Sequence, residues 1–98
     1  MKTITPKDLV SLIKESTINL IDIREIDEHS AGHAKESINI PQGKLYSNPS
    51  HYINKTESYF LICQSGRRSN MLTTHLTQLG YDVTDVLEGH NNWPEDLI

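Results

Sequence analysis

The ten residues Phe60-Leu61-Ile62-Cys63-Gln64-Ser65-Gly66-Arg67-Arg68-Ser69 place the only thiol of the chain beside a glycine and two arginines. The apolar run before the cysteine reads as a strand, so Cys63 falls just beyond a strand's carboxyl end, where open α/β sheets gather their ligands. Strand must then turn into helix, and Gly66 permits backbone angles that aim several amide N–H groups inward as an anion cradle. The positive end of the following helix adds to that cradle, and Arg67 and Arg68 bring fixed positive charge. Each feature favours thiolate over thiol, which makes Cys63 a candidate nucleophile. The same cradle, Gln64, Ser65, Gly66, Arg67, Arg68 and Ser69, is suited to hold an anionic substrate and the charge left on a modified sulfur. A cysteine packed as a small hydrophobe needs neither the glycine nor the arginines, and two charged neighbours argue against dry surroundings.

The elements that must position this loop are short. Thr5-Pro6-Lys7-Asp8 opens a helix, with Thr5 as cap and Pro6 at the first helical position, and Leu9, Leu12 and Ile13 share its apolar face. Ile18 to Ile23 reads as a strand ending near Asp22, Asp27 to Ala31 as a short helix stopped by Gly32, and Ser37 to Ile40 as a second strand closed by Pro41. Residues 42–55, with Gly43, Asn48 and Pro49, read as loop with at most one helical turn. Tyr59 to Ile62 is a third strand. Met71, Leu72, His75, Leu76 and Leu79 mark an amphipathic helix ending at Gly80, and Tyr81 to Leu87 a fourth strand. Strands alternating with helices imply crossover connections and a mostly parallel sheet covered on both faces.

Composition narrows the function classes. Ninety-eight residues, 36% of them hydrophobic, suit one domain over residues 1–98, and no apolar run is long enough to cross a bilayer. Met1 to Pro6 lack a secretory pattern, so a cytoplasmic location is the expectation. A net charge of −4, scattered along the chain, points to no nucleic-acid or membrane partner. A single cysteine excludes an internal disulfide and a Cys-rich metal cluster, and requires any acceptor of sulfur or electrons from Cys63 to come from outside. His29, His51, His75 and His90 lack a ligand spacing, so no metal site is expected. Asp22 and Arg24 fit an ion pair that positions the loop, His33 a structural hydrogen bond, and Trp93 a core or edge-covering aromatic.

Taken in order, Leu20 to Glu25, Gly32-His33, Ile38 to Pro41, Cys63 to Ser69, Leu79-Gly80-Tyr81, Leu87-Glu88-Gly89 and Trp93 resemble the rhodanese family over nearly the whole chain. The resemblance implies an α/β fold with a mostly parallel five-stranded sheet flanked by helices on both faces. It also implies a cofactor-free sulfurtransferase. Cys63 would take sulfur from a small anionic donor such as thiosulfate, hold it as a persulfide and pass it to an external thiol or protein cysteine. An alternative is a sulfur-relay or protein-binding module that serves a partner without turnover. Cysteine-based phosphatases resemble this loop but carry Cys, five residues, then Arg; here Ser69 occupies that position and Arg68 comes one early. Two stretches depart from the family's pattern: Ala34-Lys35-Glu36-Ser37 follows Gly32-His33, and His90 stands where a second glycine is common. A closing C-terminal helix is expected to be absent or very short.

Overall fold

The computed structural model describes residues 1–98. Five strands, β1 (Lys2–Ile4), β2 (Leu20–Asp22), β3 (Ser37–Asn39), β4 (Ser58–Ile62) and β5 (Asp82–Val86), alternate with five helices. The helices are α1 (Pro6–Glu15), α2 (Ile26–Ala31), α3 (Gln42–Ser47), α4 (Pro49–Tyr52) and α5 (Arg67–Gln78), and a 3-10 turn spans Gly89–Asn92. All pairings are parallel, in the order β1-β5-β4-β2-β3, so β4 is the central strand. The carboxyl ends of β2, β4 and β5 therefore open side by side on one edge of the sheet.

Side-chain alternation along the strands builds two cores. Ile21, Tyr59, Leu61 and Val83 face Leu45 of α3 and Leu72 and Leu76 of α5. Leu20, Ile62 and Val86 face Leu9 of α1 on the opposite side, with Trp93 packed against that cluster. Leu9, Leu45, Leu61 and Leu76 are wholly buried, and truncating any such leucine to alanine typically costs about 2–5 kcal/mol. At the start of α1, the Thr5 hydroxyl accepts from the Asp8 amide at 3.2 Å and Pro6 occupies the first turn.

Two stretches differ from the sequence reading. Residues 42–52 are helical, because Pro41 and Pro49 precede or open short helices and Leu45 drives α3 into the core. β1 went unread: its three largely exposed residues lie at the sheet edge and take their structure from pairing with Thr84, Asp85 and Val86. After Trp93 the chain bends at Pro94 and Glu95 without forming a helix, and Ile98 exchanges two backbone hydrogen bonds with His33, at 3.0 and 2.9 Å. No helix is long and apolar enough to cross a membrane.

Candidate active site

Cys63 follows the last residue of β4, and the chain turns into α5 through Gly66, which adopts the left-handed conformation at φ 96°. That turn aims two amides at the sulfur: Gly66 N–H donates to Sγ at 3.1 Å and Ser69 N–H at 3.4 Å. The Ser69 hydroxyl also lies 3.4 Å from Sγ, and it donates to Asp85 Oδ1 at 2.5 Å. A side chain on Gly66 would bring its Cβ to 2.9 Å from the Glu88 backbone nitrogen, so only glycine fits between loop and β5 exit. Cys63 itself has no exposed surface, contrary to what its charged neighbours suggest. Cys63 belongs to the α5-side core, and its Sγ meets polar hydrogen-bonding groups from the loop and α5.

The arginines divide their work differently from the sequence reading. Arg67 is exposed on the rim of a cleft of about 460 Å³, together with Ser65, Gly66, Asn70, Asp85 and Glu88. Arg68 makes a two-pronged ion pair with Glu28 of α2, at 2.8 and 3.1 Å. The Arg68 hydrogen bonds hold the Glu28 carboxyl down to about 2, and the same bonds raise Arg68. A thiolate at Cys63 acts in the same direction on Arg68, which places this guanidinium within electrostatic reach of the sulfur.

Behind the loop lies a buried hub. Asp22 accepts from Arg24 Nε at 3.0 Å and from its Nη2 at 2.9 Å, and Oδ2 is 2.8 Å from His29 Nδ1. Burial acts to raise the Asp22 carboxyl, but the hydrogen bonds from Arg24 and His29 prevail and hold it below the usual range. Arg24 reaches on to Gln64 Oε1 at 2.9 Å and to the Gly32 carbonyl at 2.7 Å, so the Gln64 side chain is tied backwards, away from Sγ. His33 makes no contact with Cys63; it stacks on His29 with ring centres 3.6 Å apart and meets the His29 carbonyl at 2.7 Å.

The profile of the rhodanese-like domain family matches residues 5–96. The chain belongs to that family. A crystal structure of a Staphylococcus saprophyticus protein superposes on this rhodanese-like domain with a TM-score of 0.90 at 29% identity, covering all of this chain and 99% of that one. Thiosulfate sulfurtransferase 16 of Arabidopsis thaliana is 31% identical over 88 residues, 78% of this chain and 73% of that protein. The adenylyltransferase and sulfurtransferase uba4 of Ogataea parapolymorpha is 30% identical over 79 residues, which are 80% of this chain but 20% of that protein. In three further curated relatives the chain spans 43%, 49% and 59% of the length. Sulfur transfer in general fits these relatives, and the fold of this chain is that of the Staphylococcus saprophyticus structure.

Within the rhodanese-like domain, the two departures from the family's pattern meet each other. Ala34 N–H donates to His90 Nε2 at 3.1 Å, which leaves Nδ1 protonated to donate to the Cys63 carbonyl at 2.9 Å. The same carbonyl accepts from the His90 amide at 2.9 Å, and Asn91 N–H donates to the Gln64 carbonyl at 2.9 Å. Burial pushes the His90 imidazole below its ordinary value, and the Arg24 charge acts in the same direction against the pull of the Cys63 carbonyl. Gly89 must be glycine for this clasp: a Cβ would sit 2.2 Å from the Cys63 oxygen. Sequence reasoning missed His90, Glu28 and Asp85. None of the three carries a local signal; Asp85 shares β5 with a second acid, Asp82, as well as two valines and a threonine.

Proposed function

We propose that this domain is a sulfurtransferase in which Cys63 carries the sulfur. The Cys63 thiolate attacks the outer sulfur of a thiosulfate-like donor; the donor's S–S bond breaks, sulfite leaves with the electron pair, and a Cys63 persulfide remains. An external thiolate or cyanide then attacks the outer persulfide sulfur, and Cys63 leaves as thiolate. The observation that carries this reading is the convergence of the Gly66 and Ser69 amides on Sγ, which stabilises a sulfur anion before attack and after release. Because Cys63 has no exposed surface, the donor reaches it only as the loop residues Gln64 to Arg67 give way. Arg68 is the anchor for the donor's anionic end, in competition with Glu28, and Arg67 adds charge at the cleft rim. No cofactor enters either step.

Steady-state thiosulfate:cyanide sulfurtransfer tests this assignment. Wild-type protein releases thiocyanate, and Cys63→Ser, which keeps the volume and a hydrogen-bonding group, loses turnover by at least about a thousandfold. Equal rates in the two proteins would remove Cys63 from the chemistry.

A second reading, a relay module handing sulfur to a partner protein, draws support from uba4, whose name joins sulfurtransfer to a second activity and of which this chain matches a fifth. Stoichiometric persulfide transfer to a protein cysteine, with negligible turnover on cyanide, distinguishes it.

A further inference from the structure

Two aspartates are buried at the same edge of the sheet, and they are treated differently. Asp22, fully buried, is clamped by Arg24 and His29. Asp85, 1% exposed, has no cationic partner: Oδ1 accepts from the Ser69 hydroxyl at 2.5 Å and Oδ2 from Asn70 Nδ2 at a long 3.4 Å. It sits in β5 between Thr84 and Val86, pairs in register with Leu61 and Thr3, and is buried, which penalises a carboxylate. Burial raises the Asp85 carboxyl, and its two hydrogen bonds do not cancel that.

The hydroxyl of Ser69 connects this acid to the thiol. Ser69 has one proton to give, and its contact with Asp85 Oδ1 is far shorter than the 3.2 Å to the Gly66 carbonyl. The hydroxyl hydrogen therefore points at Asp85, and the oxygen's lone pairs are left to accept the Cys63 S–H across 3.4 Å. The thiol has no exposed surface through which to lose a proton to water. Asp85, in contrast, lines the 460 Å³ cleft.

We propose that Asp85 is the proton acceptor for Cys63, acting through the Ser69 hydroxyl. As the thiolate forms, the Sγ proton passes to Ser69 Oγ while the Ser69 hydroxyl proton passes to Asp85 Oδ1. The products are a thiolate, an intact hydroxyl and a neutral carboxylic acid. Net charge is unchanged; one negative charge moves from a site with no cation to one with two amides and Arg68 nearby. Neutralising Asp85 also removes a like charge that would oppose the thiolate and any incoming anion. Asp85 is thus a positioning residue for the proton, and it deepens the sulfurtransferase reading on which it rests.

The ultraviolet absorbance of the thiolate, measured against pH with Cys63→Ser as the baseline, reads this directly because the chain has one cysteine. Two groups sharing one proton titrate as a pair. In the wild type the thiolate signal rises in two steps separated by a plateau over which the pair shares one proton. Asp85→Asn keeps the shape and a hydrogen-bond acceptor for Ser69 but takes no proton, and its signal rises in a single step. The other ionisable groups near the pair are Arg67 and Glu88 on the cleft, Arg68 held by Glu28, and His90 on the Cys63 carbonyl; Lys2 of β1 is engaged by Asp82. A plateau caused by any of these survives Asp85→Asn and overturns the proposal. So does a single step in the wild type, whether or not the variant shifts it. Sulfur uptake from thiosulfate, read by intact mass, separates the two claims. Uptake without a plateau removes the proton acceptor alone, whereas a plateau without uptake leaves it standing and removes the sulfur chemistry.

Discussion

At the scale of single residues, the loop's partners set how it responds to pH. His90 is held neutral in the fold, with its folded pKa depressed below the ordinary 6.5. A base depressed in this way contributes stability fully above the unfolded value, and that contribution is lost as pH falls below it, where the unfolded chain takes up a proton that the folded one refuses. The urea midpoint of wild-type protein should therefore drop between about pH 7.5 and about pH 5.5, and His90→Gln should lose most of that drop. Glu28 cannot account for it. Its folded value of about 2, against 4.5 unfolded, gives a contribution present above 4.5 and lost only as pH falls towards 2. Glu28→Gln has a different signature. It frees the Arg68 guanidinium for an anionic donor, so KM for thiosulfate falls by up to about fivefold, the ceiling for an ion pair this exposed, worth up to ~1 kcal/mol. Initial rates against donor concentration check this.

At the scale of elements, the loop between β4 and α5 is held from two sides by glycines that admit no substitute. Gly89→Ala drives a Cβ to 2.2 Å from the Cys63 carbonyl oxygen, and this backbone contact cannot be relieved by a side-chain rotation. It should cost at least about 2 kcal/mol of stability and displace the Sγ cradle as well, seen as a lower thermal midpoint together with lost turnover. How much of this was legible follows from length and context. β4, α5 and the cysteine loop were readable because an apolar run, a glycine and a 3.6-residue period are local signals. β1 was not, because three exposed residues become a strand only beside β5. Residues 42–55 read as loop because Gly43, Asn48 and Pro49 outweigh Leu45, the buried side chain that anchors α3. Cys63 read as wet because its arginines follow it in sequence, yet Arg67 stands at a separate rim and Arg68 turns to Glu28. Asp85 carries no local signal, since β5 holds a second acid, Asp82, three residues earlier. Only the sheet order, which puts β5 between β1 and β4 and under α5, turns Asp85 towards Ser69.

At the scale of the whole molecule, the parallel sheet gathers the ends of β2, β4 and β5 around one sulfur. The first end supplies the Asp22–Arg24 hub that ties back Gln64, the second supplies Cys63, and the third supplies Asp85 and the His90 clasp. The net charge of −4 does not favour anions over the surface at large, so the proposed capture of a small anionic donor would rest on local amides and guanidinium groups. A chain with one cysteine has no second thiol to resolve a persulfide internally, so sulfur taken up should stay until an external acceptor removes it. Intact mass after incubation with thiosulfate and removal of the donor tests the central claim most directly. Sulfur transfer through Cys63 requires a gain of one sulfur atom on wild-type protein, localised to Cys63, reversed by cyanide or a thiol and absent from Cys63→Ser. A wild-type mass that never changes, or a sulfur that is also gained by Cys63→Ser, contradicts it.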